Sequence, residues 1–335
     1  MDQFFARARA HAAPLGAEYA ALWAAMQGAS AGGRRLRPAL AAESYRVHGG
    51  RDEDVSARLG GALELLHTAF VMHDDVIDHD LRRRGRPNVA GEFGRRARQE
   101  GARPPAAAAY GQAAGILAGD LALVGAVVEV ASIPAAPATR DRLLDLVHTT
   151  IRVTAAGELA DVHHGLGSRT PALEETLSVA ARKTAAYSFC LPMQAGALLA
   201  GAGEDRLAAL DELGMRLGVA FQLGDDLLGV FGDEAQTGKS ALSDLREGKR
   251  TALVAYAATT PAWGSIEKHL GDPLLTSADA ATVRMRLEAC GARAFVEDLA
   301  QSHLDAARSL ARTVGLDQAV DRVAALAASD PGRAA

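Results

Sequence analysis

Apolar positions between residues 52 and 78 fall at Leu59, Leu63, Leu66 and Phe70. These steps of three and four belong to one face of an α-helix. Asp52, just after the turn signal "HGG", is placed to cap its start. The next position on that face is Asp74. A second stretch repeats the arrangement, with Leu210, Leu213, Leu217 and Phe221 followed by Asp225. Each apolar stripe therefore runs into an aspartate pair. A buried ionised carboxylate is costly unless a counter-charge or a metal compensates it. Two such helices facing one another would line both walls of one cavity with acid.

Elsewhere the pattern predicts further helices separated by Gly and Pro, about ten or more in all. The stretch "GRRARQEGARPPAAAAYG" (94–111) reads as an exposed loop and "SIPAAPATR" (132–140) as a break between two apolar helices. "TTPAWGS" and "GDPLLTSAD" mark turns, and the terminal "SDPGRAA" is expected to fray. No linker or repeat divides the chain, so a single domain over 1–335 is expected. Composition agrees with an all-α chain: apolar residues make up 49% but aromatics only 4%, and Ala and Leu favour helix. A net charge of −5 gives no reason to expect nucleic acid as a partner. Cys190 and Cys290 suggest buried free thiols. The N-terminus lacks a signal-peptide pattern and no uninterrupted apolar run reaches spanning length, so cytoplasmic localisation without membrane insertion is expected.

Asp74 and Asp78 stand four apart and project from one side, with Asp75 about 100° round the axis. Carboxylates so arranged can share hard cations, and oxygen ligands favour Mg²⁺, which completes its shell with water and substrate phosphate. Arg82, Arg83, Arg84 and Arg86 follow at once, and guanidinium groups bind phosphate bidentately. "GGRRLRP" (32–38) and "TGKSALSDLREGKRT" (237–251) are further basic clusters in an acidic chain. Each signal is weak alone. A single "DDxxD" is more often a solvated helix end, His67 would ordinarily be a hydrogen-bonded core histidine, and Lys183-Thr184 a surface pair. The adjacent His163 and His164 cannot form an i, i+4 metal pair.

Taken in order, "GGRRLRP", "LLHTAFVMHDDVID", "RRGRP", "AGDLAL", "KT", "FQLGDDLLGVFGD" and "DLREGKRT" resemble the trans-isoprenyl diphosphate synthases of the polyprenyl synthetase family. The resemblance spans about 30–255 and includes the bacterial short-chain geranylgeranyl and farnesyl synthases. It implies an all-α bundle around a central cavity, a homodimer, and a Mg²⁺-dependent condensation of isopentenyl diphosphate with an allylic diphosphate, using about three ions to a site. By resemblance, Asp74, Asp78 and Asp225 are the principal metal ligands, with Asp75 and Asp226 supporting them and Asp244 an outer-shell acid. Arg83, Lys183, Lys239 and Lys249 correspond to the grip on the allylic diphosphate. Arg34, Arg37, His67 and Arg84 correspond to the isopentenyl pocket. Thr184 and Gln222 match residues near the developing carbocation, and Glu158 and Asp161 a nearby polar pair.

Arg34 stands where the family has lysine, Gly229 ends the second acidic motif in place of aspartate, and no insertion interrupts "DDVID". Two other functions share these features. A class I terpene cyclase or head-to-head condensing enzyme would not need the isopentenyl pocket, and a non-catalytic partner subunit would have lost aspartates. For product length, Phe70 lies one turn before Asp74, about 6 Å along the axis, with Leu66 and Leu63 below it and the small Ala69 beside it. One offset aromatic restricts the path of a growing chain without closing it, which gives a product of about twenty carbons, with fifteen or twenty-five as alternatives.

Overall fold

A computed structural model describes residues 1–167, 169–232 and 243–328. Its element order begins with α1 (Asp2–Ala12), α2 (Ala17–Ala29), α3 (Leu36–Val47), α4 (Glu53–Ile77), α5 (Val89–Gln99) and α6 (Pro104–Ala131). It continues with α7 (Pro137–Gly165), α8 (Leu173–Ala180), a π-helix (Ala181–Cys190), α9 (Leu191–Leu199) and α10 (Glu204–Phe231). The fold is all-α, and the only strands among the described residues are the two-residue pair Arg82–Arg83 and Arg86–Pro87. Backbone contacts group the chain into two units, Met1–Ala42 with Arg51–Leu144, and Glu43–Gly50 with Asp145–Ala335.

In the first unit α4 starts where the sequence predicts. Asp52 caps it, its carboxylate accepting from the amides of Asp54 and Val55 at 3.0 and 3.1 Å. Leu59, Leu63 and Leu66 are buried, as the stripe requires. The last turns of α4 lie close against α6 because Gly115 and Gly119 offer no side chain there: an added Cβ would strike Val76 and His73. By length and composition α6 is apolar enough to cross a membrane, but its small residues Ala114, Ala118 and Ala122 are buried inside this unit. The stretch 94–111 is not a loop. It holds the end of α5 and the start of α6, with only 100–103 between them. Pro104 and Pro105 open α6, where a missing N–H costs nothing and the fixed φ suits the helix.

In the second unit α10 packs against the π-helix and against the helix Ala292–Val314. Gly214 and Gly218 permit the first contact: a Cβ at Gly214 would meet Cys190 backbone at 2.7 Å, and one at Gly218 would strike Ala185. Leu210, Leu213 and Leu217 are fully buried. The C-terminal turn of α10 is held by Arg284, which donates to the Val230 carbonyl, and by Arg293, whose guanidinium lies 4.8 Å from the Phe231 ring centroid. Both cysteines are free, Cys190 buried and Cys290 half-buried.

Candidate active site

The acidic end of α4 sits at the pole where the helix dipole is itself negative, and no basic residue occupies its last turn. The compensation comes from the chain that follows. Residues Arg82–Arg83 and Arg86–Pro87 pair antiparallel, with Arg84 and Gly85 in the two-residue turn. Both have positive φ, 51° and 73°, as a hairpin turn matched to strand twist requires. A left-handed arginine is strained, and such strain gathers at functional positions. The hairpin folds Arg83 back on the helix: Nε donates to Asp75 Oδ1 at 2.7 Å and Nη2 to Asp74 Oδ2 at 3.1 Å.

The paired aspartates differ in a way the stripe does not foretell. Asp75 is buried, while Asp74 is part-exposed and Asp78, at the C-cap, is exposed. Burial raises the Asp75 carboxyl to about 6 despite Arg83. For Arg83 the balance is opposite: burial would lower it, but Asp75 and Asp74 outweigh that and hold it charged. Of the three chain-length candidates, Ala69 and Leu66 are buried and only Phe70 keeps appreciable exposure.

The basic cluster of the same unit gathers around Arg84. Its guanidinium lies against Gly32 and Gly33, where an added Cβ would come within 3.2 to 3.4 Å, and it donates to the Ala31 carbonyl at 3.1 Å. His67 is driven well below its usual pKa, first by burial and then by Arg37, Arg83, Arg84 and Arg35, so it stays neutral. Arg34 lies in the turn before α3 and Arg37 in its first turn. Arg35, absent from the sequence-derived site, has φ of 50° and donates to the buried Glu64 at 2.6 Å. An arginine in a turn entered through two glycines is the signal that could have found it.

In the second unit the π-helix carries Lys183 and Thr184. Such bulges are frequent at functional sites. Gly157 of α7 lies directly beneath it, since a Cβ there would strike the Lys183 amide. Lys183 Nζ donates to Glu158 at 3.0 Å and Asp161 at 2.7 Å, which joins the two polar pairs of the sequence. Thr184 Oγ1 donates to Gln222 Oε1 at 2.8 Å, and Gln222 Nε2 donates to Asp226 at 2.9 Å. Asp226 is the buried member of its pair, and burial raises it to about 8 against the opposing Gln222 bond. Asp225 is half-buried. Burial would lower the Lys249 ammonium, but Asp244 and Glu247, each at 3.1 Å, hold it above its usual value. Lys239 lies outside the described residues.

Among the described residues no three His, Cys, Asp or Glu side chains gather closely enough to enclose a metal by themselves. The donors at the helix ends are carboxylate oxygens in incomplete sets. That fits Mg²⁺, which binds through one or two carboxylates and completes its shell with water and phosphate. His163 and His164 lie at the C-terminal end of α7, their ring centroids 6.3 Å apart.

Comparison with known proteins supplies the context. The chain is 35% identical over 228 residues to a geranylgeranyl diphosphate synthase of Sulfolobus acidocaldarius, covering 67% of this chain and 63% of that one. The chain spans a little under two thirds of the length of the first such relatives, 63% to 64%. A geranylfarnesyl diphosphate synthase of Aeropyrum pernix is 31% identical, with 84% of this chain and 83% of that one covered. The fold matches a crystal structure of a Corynebacterium glutamicum geranylgeranyl pyrophosphate synthase complexed with isoprenyl diphosphate and magnesium. That match has a TM-score of 0.88 at 30% identity and covers 97% and 94% of the two chains. The polyprenyl synthetase model matches residues 21–281, and with the acidic helix ends and arginine hairpin already in view, the chain belongs to the polyprenyl synthetase family.

Proposed function

We propose that the chain is a Mg²⁺-dependent trans-prenyltransferase that condenses isopentenyl diphosphate with an allylic diphosphate. The observation that carries this reading is the hairpin: it brings the Arg83 guanidinium within 2.7 to 3.1 Å of Asp75 and Asp74. A phosphate-binding cation beside cation-binding carboxylates is what a metal diphosphate needs.

By resemblance, Asp74 and Asp78 in the first unit, and Asp225 in the second, would each hold Mg²⁺, whose charge would stabilise the departing pyrophosphate. Arg83, Lys183 and Lys249 exchange their protein carboxylates for diphosphate oxygens, and Lys239 belongs to the same grip by resemblance. Arg34, Arg37 and Arg84 bind isopentenyl diphosphate, with neutral His67 as a hydrogen-bonding partner that adds no charge. The allylic C–O bond breaks with its electron pair leaving on pyrophosphate. The double bond of isopentenyl diphosphate attacks the cation, and a proton passes to the released pyrophosphate. By resemblance Thr184 and Gln222, whose hydrogen bond aligns their dipoles, would stabilise such a cation.

The product is short, about twenty carbons, because the aromatic Phe70 stands one turn before Asp74 and its neighbour Ala69 is small. The enzyme works in the cytoplasm as a homodimer. Ile116, Leu117, Val124 and Val128 on α6 are about half exposed or more, and a second copy would cover them. Incubation with isopentenyl diphosphate and each allylic primer, with product lengths read by mass spectrometry, tests the reading. Absence of any elongated diphosphate overturns it.

A further inference from the structure

Glu64 of α4 is only 6% exposed, and a carboxylate so buried needs a counter-charge. Arg35 supplies it at 2.6 Å, from a backbone with φ of 50° that costs strain in any residue with a side chain. Its second terminal nitrogen donates to the Ser30 carbonyl at 3.1 Å, so one guanidinium ties both ends of the turn 30–35 to the helix. Gly32 and Gly33, with φ of 83° and 79°, form the middle of that turn, and Arg84 rests on them. Just beyond the turn, Pro38 lies on Gly60, one helical turn before Glu64, where an added Cβ would come within 3.1 Å of it. His67 follows Glu64 by three residues on the same side of α4. Burial, Arg83, Arg35 and Arg37 all lower the Arg84 pKa, and Glu64 opposes them. A lone carboxylate thus stands among the cations assigned to isopentenyl diphosphate. By charge alone it would weaken their pull on an anion.

We infer that Glu64 and Arg35 are positioning residues for isopentenyl diphosphate: their ion pair anchors the turn 30–35 to α4 and so sets where Arg34 and Arg84 meet the diphosphate. The inference rests on the prenyltransferase reading and gives neither residue a contact with substrate. A buried ion pair is often no more stabilising than an apolar pair of the same size. What it does better is fix an orientation, because a guanidinium fork meets a carboxylate in few geometries. Position and charge then act in opposite senses at Glu64, and the sign of its effect on binding tells them apart.

The test measures isopentenyl diphosphate binding to the full chain by calorimetry, with KM for each diphosphate and thermal melts alongside. Glu64→Gln keeps the shape and removes the charge; Arg35→Lys keeps the charge and removes the fork. Each is expected to weaken isopentenyl diphosphate binding and raise its KM by about 10-fold, what a displaced arginine forfeits with one charge-assisted hydrogen bond. The KM for the allylic diphosphate and kcat stay at wild-type values. The double variant Arg35→Met, Glu64→Leu leaves the net charge unchanged and no buried charge unpaired. It melts at or above the wild-type temperature and still binds as weakly as the single variants. Binding at or tighter than wild type in Glu64→Gln means that the carboxylate acts through charge alone and overturns the inference. Wild-type binding in the folded double variant, or an equal rise in KM for both diphosphates, overturns it as well. A wild-type chain that binds isopentenyl diphosphate but elongates nothing overturns the proposed activity and leaves the binding test intact. A wild type that binds neither diphosphate overturns both.

Discussion

Replacing Gly157 by alanine separates the position of the π-helix from everything else about the site. The added methyl would lie 2.8 Å from the Arg182 carbonyl carbon, where ordinary contact begins at 3.4 Å, and closer still to the Lys183 amide. These are backbone atoms and cannot swing aside, so the π-helix must retreat from α7 by at least about 0.6 Å, because overpacked sites yield through backbone shifts. Overpacking costs about 1 to 3 kcal/mol. Alanine in mid-helix returns about 0.8 to 1 kcal/mol relative to glycine. The net loss is about 1 kcal/mol, a fall in melting temperature of only a few degrees for a unit of this size. Catalysis should suffer more, because a misplacement of about 1 Å costs on the order of 100-fold in rate. Lys183 and Thr184 both ride on the displaced segment. The assay is condensation rate alongside thermal melts for wild type and Gly157→Ala. A stable variant with wild-type rate would show that the π-helix does not set the position of either group.

Three further outcomes follow from the site. Asp74→Asn and Asp225→Asn should each nearly abolish turnover while leaving the melting temperature within a few degrees, and wild-type turnover in excess EDTA would refute the metal reading. Phe70→Ala should shift the product distribution toward longer chains by mass spectrometry, and an unchanged distribution would mean that Phe70 is not the floor. His67 is held neutral below its usual pKa of 6.5, so the unfolded chain takes up a proton that the folded chain does not as pH falls. Its contribution to stability is therefore present above about 6.5 and is lost below it, and urea midpoints at pH 5 and 7.5 should draw closer in His67→Gln.

Much of this was legible in the chain itself. The stripes ending at Asp74 and Asp225 marked both acidic helices, and the cap at Asp52 fixed where the first begins. The misreading of 94–111 has a simple cause: charge and paired prolines suit an exposed loop and the first turn of a helix equally. The π-helix left no trace, since "ARKTAAYSFC" reads as ordinary helix and the glycines that let its neighbours approach it, 157, 214 and 218, lie on other elements. The burial of Asp75 and Asp226 in place of their neighbours was likewise decided by tertiary packing. Asp244 beside Gly229 is the clearest case, because nothing in either local sequence names the other.

Three of the cations assigned to the allylic diphosphate are each already held by two carboxylates: Arg83 by Asp74 and Asp75, Lys183 by Glu158 and Asp161, Lys249 by Asp244 and Glu247. An anion arriving at such a site replaces one partner with another and leaves the number of ion pairs nearly constant. Salt screens the broken pair and the new pair alike. Substrate affinity should therefore respond to ionic strength more shallowly than the number of cations in the site suggests.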